Sequence, residues 1–291
     1  MESLETLRHR VSSMSDLMDI VGALRAMAAI RVQEAQNALQ GIRGYSDSVA
    51  DALGQAANLL GEGEQTHAVG IKRHYATSDH LLIVFTSEHG FVGGYNELLL
   101  DRSVDHAGAE GAEMFVVGSR GLVQAEERGI QVAGCTPMVT HQAGVLKLAR
   151  SLVTEVYRRV SEGNVHRVSL AYARSATAIA SDITVRTLLP LDLSHFKTGA
   201  SKVEPLHTYD PRTLAEKLVE EYVMAELAHV ITEALASENG ARLKTMDSAH
   251  ENITDKLDEL RQSERQMRQE EITMELLDVV SGAEAMAPRR F

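Results

Sequence analysis

From Leu4 to Ile42 the chain sets apolar residues in alternating steps of three and four. Leu4, Leu7, Val11, Met14, Met18, Val21, Ala28, Val32, Ala35, Leu39 and Ile42 follow the pattern, and Arg25 is the one exception. That spacing lays a narrow apolar seam along one side of a helix, which predicts a coiled coil and not merely a surface helix. The first proline is at 137, so nothing interrupts the segment covalently. Residues 3–60 are expected as one helix, roughly 85 Å long at about 1.5 Å per residue, with Gly41 and Gly44 marking a place for a bend.

A second segment of this kind closes the chain. Asp210-Pro211 has the form of a helix start, a capping residue followed by proline at the first helical position. From 212 to 287 there is no further proline, and glycine occurs only at 240 and 282. Leu214, Leu218, Tyr222, Leu227, Ile231 and Leu235 form its stripe, continued by Met246, Ala249, Ile253, Leu257, Leu260 and Met267. Helices this long do not hold in water alone and must bury their stripes against a partner. Each is the nearest partner for the other, and with the middle of the chain between them they would run antiparallel. Two independent helical hairpins are the alternative.

Between them the period changes. Leu81–Phe85 and Met114–Val117 are continuous apolar runs, while Val168, Leu170 and Tyr172, then Ile183, Val185, Thr187 and Leu189, alternate as strands do. A helix is expected over about 142–162, with Gly163 as its stop. Strands alternating with helices predict an α/β domain with a largely parallel sheet over 77–195. The division is therefore 1–60, 77–195 and 210–287, with a polar connector at 62–76.

Composition narrows the function. Lys and Arg number 29 against 41 Asp and Glu, a net charge of −12, which argues against a binder that works by neutralising phosphates. The single cysteine, Cys135, permits no internal disulfide and reads as a small buried hydrophobe. The start MESLETLRHRV has no signal-peptide run and no stretch approaches 18 apolar residues, so a soluble chain is expected.

Chemical motifs are nearly absent. Ser87-Glu88-His89-Gly90-Phe91-Val92-Gly93-Gly94-Tyr95-Asn96 follows the first strand as a phosphate cradle would, but its GxxGG spacing is neither GxGxxG nor GxxxxGK[ST]. It is expected to be a structural turn made by Gly90, Gly93, Gly94 and Asn96. Gly118-Ser119-Arg120-Gly121 lacks the form of a nucleophile elbow, and His250-Glu251 is followed by Thr254 where a zinc site needs a second histidine. No catalytic residue, cofactor or metal is expected. Two features remain: Arg25, which suggests that something other than the partner helix meets the seam there, or else sets its register, and the polar band Arg268–Thr273 before the apolar Met274–Val280.

These ends together resemble the gamma subunit of F-type ATP synthases, the central rotor shaft. LRHRVSSMSDLMDIVGALRAMAAIRVQEAQ is similar to that family's first helix, and SEHGFVGGYN to its SDRGLCGGLN. EALASENGARLKTMDSAHENI and RQEEITMELLDVVSGAEAM resemble its last helix. The resemblance implies a long antiparallel coiled coil plus a Rossmann-like α/β domain, and a non-catalytic subunit coupling ion flow to ATP synthesis or hydrolysis. Its implied partners are the alpha and beta subunits of the catalytic head, the epsilon subunit and the membrane rotor ring. The implied place is peripheral, on the cytoplasmic side of the plasma membrane. Matched position by position, Arg25, Arg31, Arg268, Gln269 and Thr273 would contact the head. The family's basic KLRR run is Arg31-Val32-Gln33-Glu34 here, and Glu270 and Glu271 replace Ala-Ser, departures that point to a divergent or second-copy type. A free-standing coiled-coil interaction protein and a Rossmann-type enzyme are the readings that stand beside it.

Overall fold

The computed structural model describes residues 3–60, 80–177, 180–191, 196 and 206–286; the expected connector at 62–76 and the final residues 287–291 lie outside them. The elements in order are α1 (Leu4–Leu59), β1 (His80–Phe85), α2 (Tyr95–Glu110), β2 (Ala112–Val117), α3 (Ser119–Glu127), β3 (Gly134–Thr136), a 3-10 turn (Gln142–Gly144), α4 (Val145–Ser161), β4 (Arg167–Thr177), β5 (Ala180–Leu189) and α5 (Pro211–Met286). Both long helices are continuous, α1 through Gly41 and Gly44 and α5 over 76 residues. Asp210 caps α5 as its sequence requires: its carboxylate accepts the Thr213 N–H at 3.1 Å.

The chain forms two compact units, one of residues 1–27 with 245–291 and one of residues 28–244. In the first, the helices run antiparallel. Arg8 pairs with Glu264, Met18 touches Thr254 and Arg25 pairs with Asp247, so each advance along α1 is matched by an equal retreat along α5. Leu7 and Val21 of α1 and Met246, Leu257 and Leu260 of α5 are buried in this seam. The pattern shifts at one point. Leu24 is half-buried and Arg25 exposed, so Arg25 lies on the rim of the seam, where Asp247 of the partner helix meets it. Of the two readings of Arg25, the ion pair to Asp247 is what the setting of register across the seam requires, and a further contact at this rim position is left free to form. Both groups are about half exposed, and such a pair is worth on the order of 1 kcal/mol or less.

The second unit is a three-layer α/β structure. Its sheet has the order β3-β2-β1-β4-β5, with β1 to β4 parallel and β5 antiparallel at one edge. Leu81, Ile83 and Phe85 of β1 face α4 and α5, while Leu82 and Val84 face α2 and α3. This explains the continuous run LLIVF, since a parallel strand covered on both faces has no polar side to show. Each fully buried side chain of that size contributes about 1.5–3 kcal/mol. The strand β3 is three residues long, too short for periodicity to reveal, and it corrects one reading: Cys135 is exposed on this edge strand, not buried.

Two predictions follow from the packing. With Cys135 replaced by Ser, M18C/T254C is expected to form an intrachain disulfide, seen as a faster band on non-reducing gels. No such band after mild oxidation would contradict the antiparallel register. Gly121 packs on Thr86 so closely that an added Cβ would lie 2.0 Å from the Thr86 hydroxyl. G121A is therefore expected to lower stability by about 1–3 kcal/mol, read from urea unfolding.

Candidate functional site

In an open sheet of this order, ligands bind beyond the carboxyl ends of the strands where the chain reverses direction across the sheet, here between β1 and β4. The loop leaving β1 is held from within. Asn96 accepts the Ser87 N–H at 2.9 Å through Oδ1 and donates Nδ2 to the Ser87 hydroxyl at 2.8 Å. Gly93 takes a left-handed φ of 57°, whereas Gly90 and Gly94 have open space around them. The glycines that cannot carry a side chain are instead Gly118 and Gly121 of the GSRG stretch, both pressed on Thr86. Ser119 in that stretch is engaged by Glu88, whose carboxylate accepts its N–H at 3.0 Å, its hydroxyl at 2.7 Å and the Met138 N–H at 2.7 Å. A carboxylate thus occupies the amino end of α3, where a phosphate would otherwise be favoured.

Helix α5 closes the crevice from the other side. Ser237 donates its hydroxyl to the carbonyl of Ala173 at 2.7 Å. Arg242 donates to the carbonyls of Gly90 and His89, each at 3.3 Å, and to Glu238 at 2.6 Å. Burial pushes the Glu238 carboxyl above the usual carboxylate range, against the opposing pull of Arg242 and the Glu88 N–H. Burial, then the charge of Glu238, raises the Tyr95 hydroxyl in the same way. The place where such a fold takes a nucleotide is filled by the protein's own helix.

The free end of α5 is the opposite case. Arg8, near the start of α1, lies against Glu264, so among the described residues of this unit α5 beyond about residue 268 has no helical partner. Ile272, Met274, Leu276, Leu277, Val279 and Val280 are 50–69% exposed there, on all sides of the helix. An apolar surface of this kind marks a docking site. Arg268 and Gln269 lie just before it and Thr273 within it, all exposed, with the Thr273 hydroxyl donating back to the Gln269 carbonyl at 2.7 Å. The structure brings these three together. Arg25 lies further along the helix pair at Asp247, and Arg31 belongs to the other unit, where it donates to the carbonyl of Thr140.

Sequence reasoning passed over the buried acids of α5. Glu226, Glu233 and Glu238 are each at most 5% exposed. Their signal was three charges in a largely apolar stretch, AELAHVITEALASE, which read equally well as the outer face of a helix.

Paired long helices ending in an exposed apolar stretch, and an α/β unit whose crevice is filled by its own helix, define an elongated-helix subunit of the kind built for contact and not for small-molecule binding. Residues 3–286 match the family model described as ATP synthase. The curated ATP synthase gamma chain of Methylobacterium nodulans is 29% identical, over 98% of this chain and 100% of the relative. That of Paracoccus denitrificans is also 29% identical with the same coverage. Among solved structures, a chain of the Euglena gracilis mitochondrial ATP synthase has a TM-score of 0.63 at 15% identity, covering 99% of this chain and 98% of that one. A chain of the Tetrahymena thermophila mitochondrial central stalk has a TM-score of 0.55 at 19% identity, covering 79% and 99%. The chain belongs to the ATP synthase gamma-chain family, and it is a gamma subunit of ATP synthase.

Glu238 makes one consequence measurable. A carboxyl whose pKa is higher folded than unfolded binds more protons when folded between the two values. Its burial therefore costs stability at neutral pH, and that cost is relieved as pH falls through the folded-state pKa. Glutamine has no such dependence. The stability of E238Q relative to wild type is expected to decline as pH is lowered from 7.5 towards 4.5, measured by urea unfolding at each pH. A pH-independent difference would contradict the raised pKa.

Proposed function

We propose that this chain is the non-catalytic rotor shaft of its complex, carrying torque between a membrane ring and a catalytic head. The observation that carries this reading is the end of α5: six exposed apolar residues with no partner among the described residues of their unit, preceded by Arg268 and Gln269. A helix end of that composition needs an apolar sleeve and hydrogen-bond acceptors at its rim. The solved neighbours are described as a central stalk with a c-ring and as an assembly of F1 head and c-ring. By that likeness the partners are the alpha and beta subunits of the head, the epsilon subunit and the ring. The functional division follows the sequence, with 1–60 and 210–287 as the shaft helices and 77–195 as the Rossmann-like domain. Among the described residues no helix is long and apolar enough to cross a membrane. The chain acts from the cytoplasmic side of the plasma membrane through the ring.

In this reading Arg268, Gln269 and Thr273 contact a loop of the head, and Arg25 and Arg31 contribute to the basic surface below it. Arg25 then divides its charge between the head and Asp247, while Arg31 must be released from Thr140 to take part. Replacing Arg268 and Gln269 together by alanine is expected to remove on the order of 1–3 kcal/mol of docking energy, the range for hydrogen bonds to charged groups. Assembly should weaken or ATP hydrolysis by the complex should slow, while circular dichroism of the free chain stays unchanged. Normal activity with normal subunit stoichiometry would remove these residues from the contact.

A further inference from the structure

Within the unit of residues 28–244, α5 passes between the sheet and α1, and most of its contacts there are apolar. Leu227, Val230, Ile231 and Leu235 meet the sheet side, and Ala236 meets Ala35 and Leu39 of α1. Apolar contact is non-directional, so it resists separation better than it resists rotation or sliding of one surface over another. A chain that carries torque needs the second kind of resistance, which directional bonds supply.

Glu226 is placed for that role. One carboxylate oxygen accepts the Ser46 hydroxyl of α1 at 2.8 Å, and the other lies 2.6 Å from Nη1 of Arg186 on β5. Arg186 also donates to the Tyr222 hydroxyl at 3.2 Å, one turn back on α5. A single buried carboxylate therefore ties together the first helix, the last helix and the antiparallel edge of the sheet. The cavity beside it is about 20 Å³, room for roughly one water, so the site has no space for a ligand. Other polar contacts connect two of the three parts: Arg43 of α1 with Glu233 at 2.7 Å, and Ser237 with the sheet at Ala173.

We propose that Glu226 is a rotational key, a positioning residue that fixes the angle of the sheet on α1 and α5 so that turning one turns the other. The proposal rests on the rotor reading above. Its loss leaves the parts attached by apolar contact and free to slip under load.

The test uses the complete ATP synthase in membrane vesicles and reads two quantities, ATP hydrolysis and the initial rate of ATP-driven membrane potential, which a voltage dye reports whatever the coupling ion. S46A/E226L removes the buried polar groups together. Arg186, whose side chain is 45% exposed, returns to water, and an apolar replacement of a buried charge is often neutral for folding. Hydrolysis is expected to stay within about two-fold of wild type while potential generated per ATP falls about two-fold or more, an outcome a merely structural role would not give. A wild-type ratio in the assembled variant overturns the proposal. If S46A/E226L does not assemble, E226Q takes its place, because it keeps the volume and an acceptor for Ser46: a lowered ratio supports the key and a wild-type ratio overturns it. A wild-type complex that generates no ATP-driven potential would fail the rotor reading itself.

Discussion

The enclosure of α5 between residues 225 and 239 is the constraint on which the rest depends. Along this stretch the helix is buried on nearly every side, by the sheet and α4 across one face and by α1 across another. A helix in that position cannot be amphipathic in the usual sense, so its polar residues must find partners inside the protein. Glu226 and Glu233 reach α1 and β5, Ser237 reaches β4 and Glu238 the loop after β1, while Thr232 and Asn239 bond back to carbonyls of α5 itself. The crevice at the end of the sheet is closed as a by-product of the same packing. A fold whose strand order is that of nucleotide-binding proteins thus loses the site that such an order ordinarily provides, and the family's work is done elsewhere on the chain.

Two kinds of surface divide that work. Inside the α/β unit, charge is held by partners: half-buried Glu88 caps α3, and the buried Glu238, Glu226 and Glu233 bond to Arg242 and to α1. At the end of α5 the arrangement is inverted, with apolar side chains in the open and no partner among the described residues. The first kind makes a rigid body. The second makes a surface that is complete only when another molecule surrounds it.

Much of this could be read from the residues. The three-and-four spacing gave α1 and the later part of α5, because a seam repeated over many turns leaves few alternative folds. The run LLIVF and the alternation in β5 were equally plain. What could not be read depended on neighbours distant in sequence. Glu226 looks like any charged helix residue until β5 brings Arg186 against it, and Arg25 looks like a fault in the seam until Leu24 turns inward and Asp247 is found opposite. The edge strand holding Cys135 is too short to carry a period. Of the proposed head contacts, the chemistry of Arg268 and Gln269 was visible, but the bareness of the helix end beyond them came only from knowing where α1 begins.

The pairing of Arg8 with Glu264 joins residues 256 positions apart. A ribosome adding about 5–20 residues per second completes the second of these roughly 10–50 s after the first. Throughout that interval the seam of α1 has been synthesised and the surface meant to cover it has not. The α/β strands, with shorter loops to close, can pair earlier. Biogenesis is therefore the moment of greatest exposure for this protein, because the seam of its earliest helix stays uncovered until the last helix has left the tunnel.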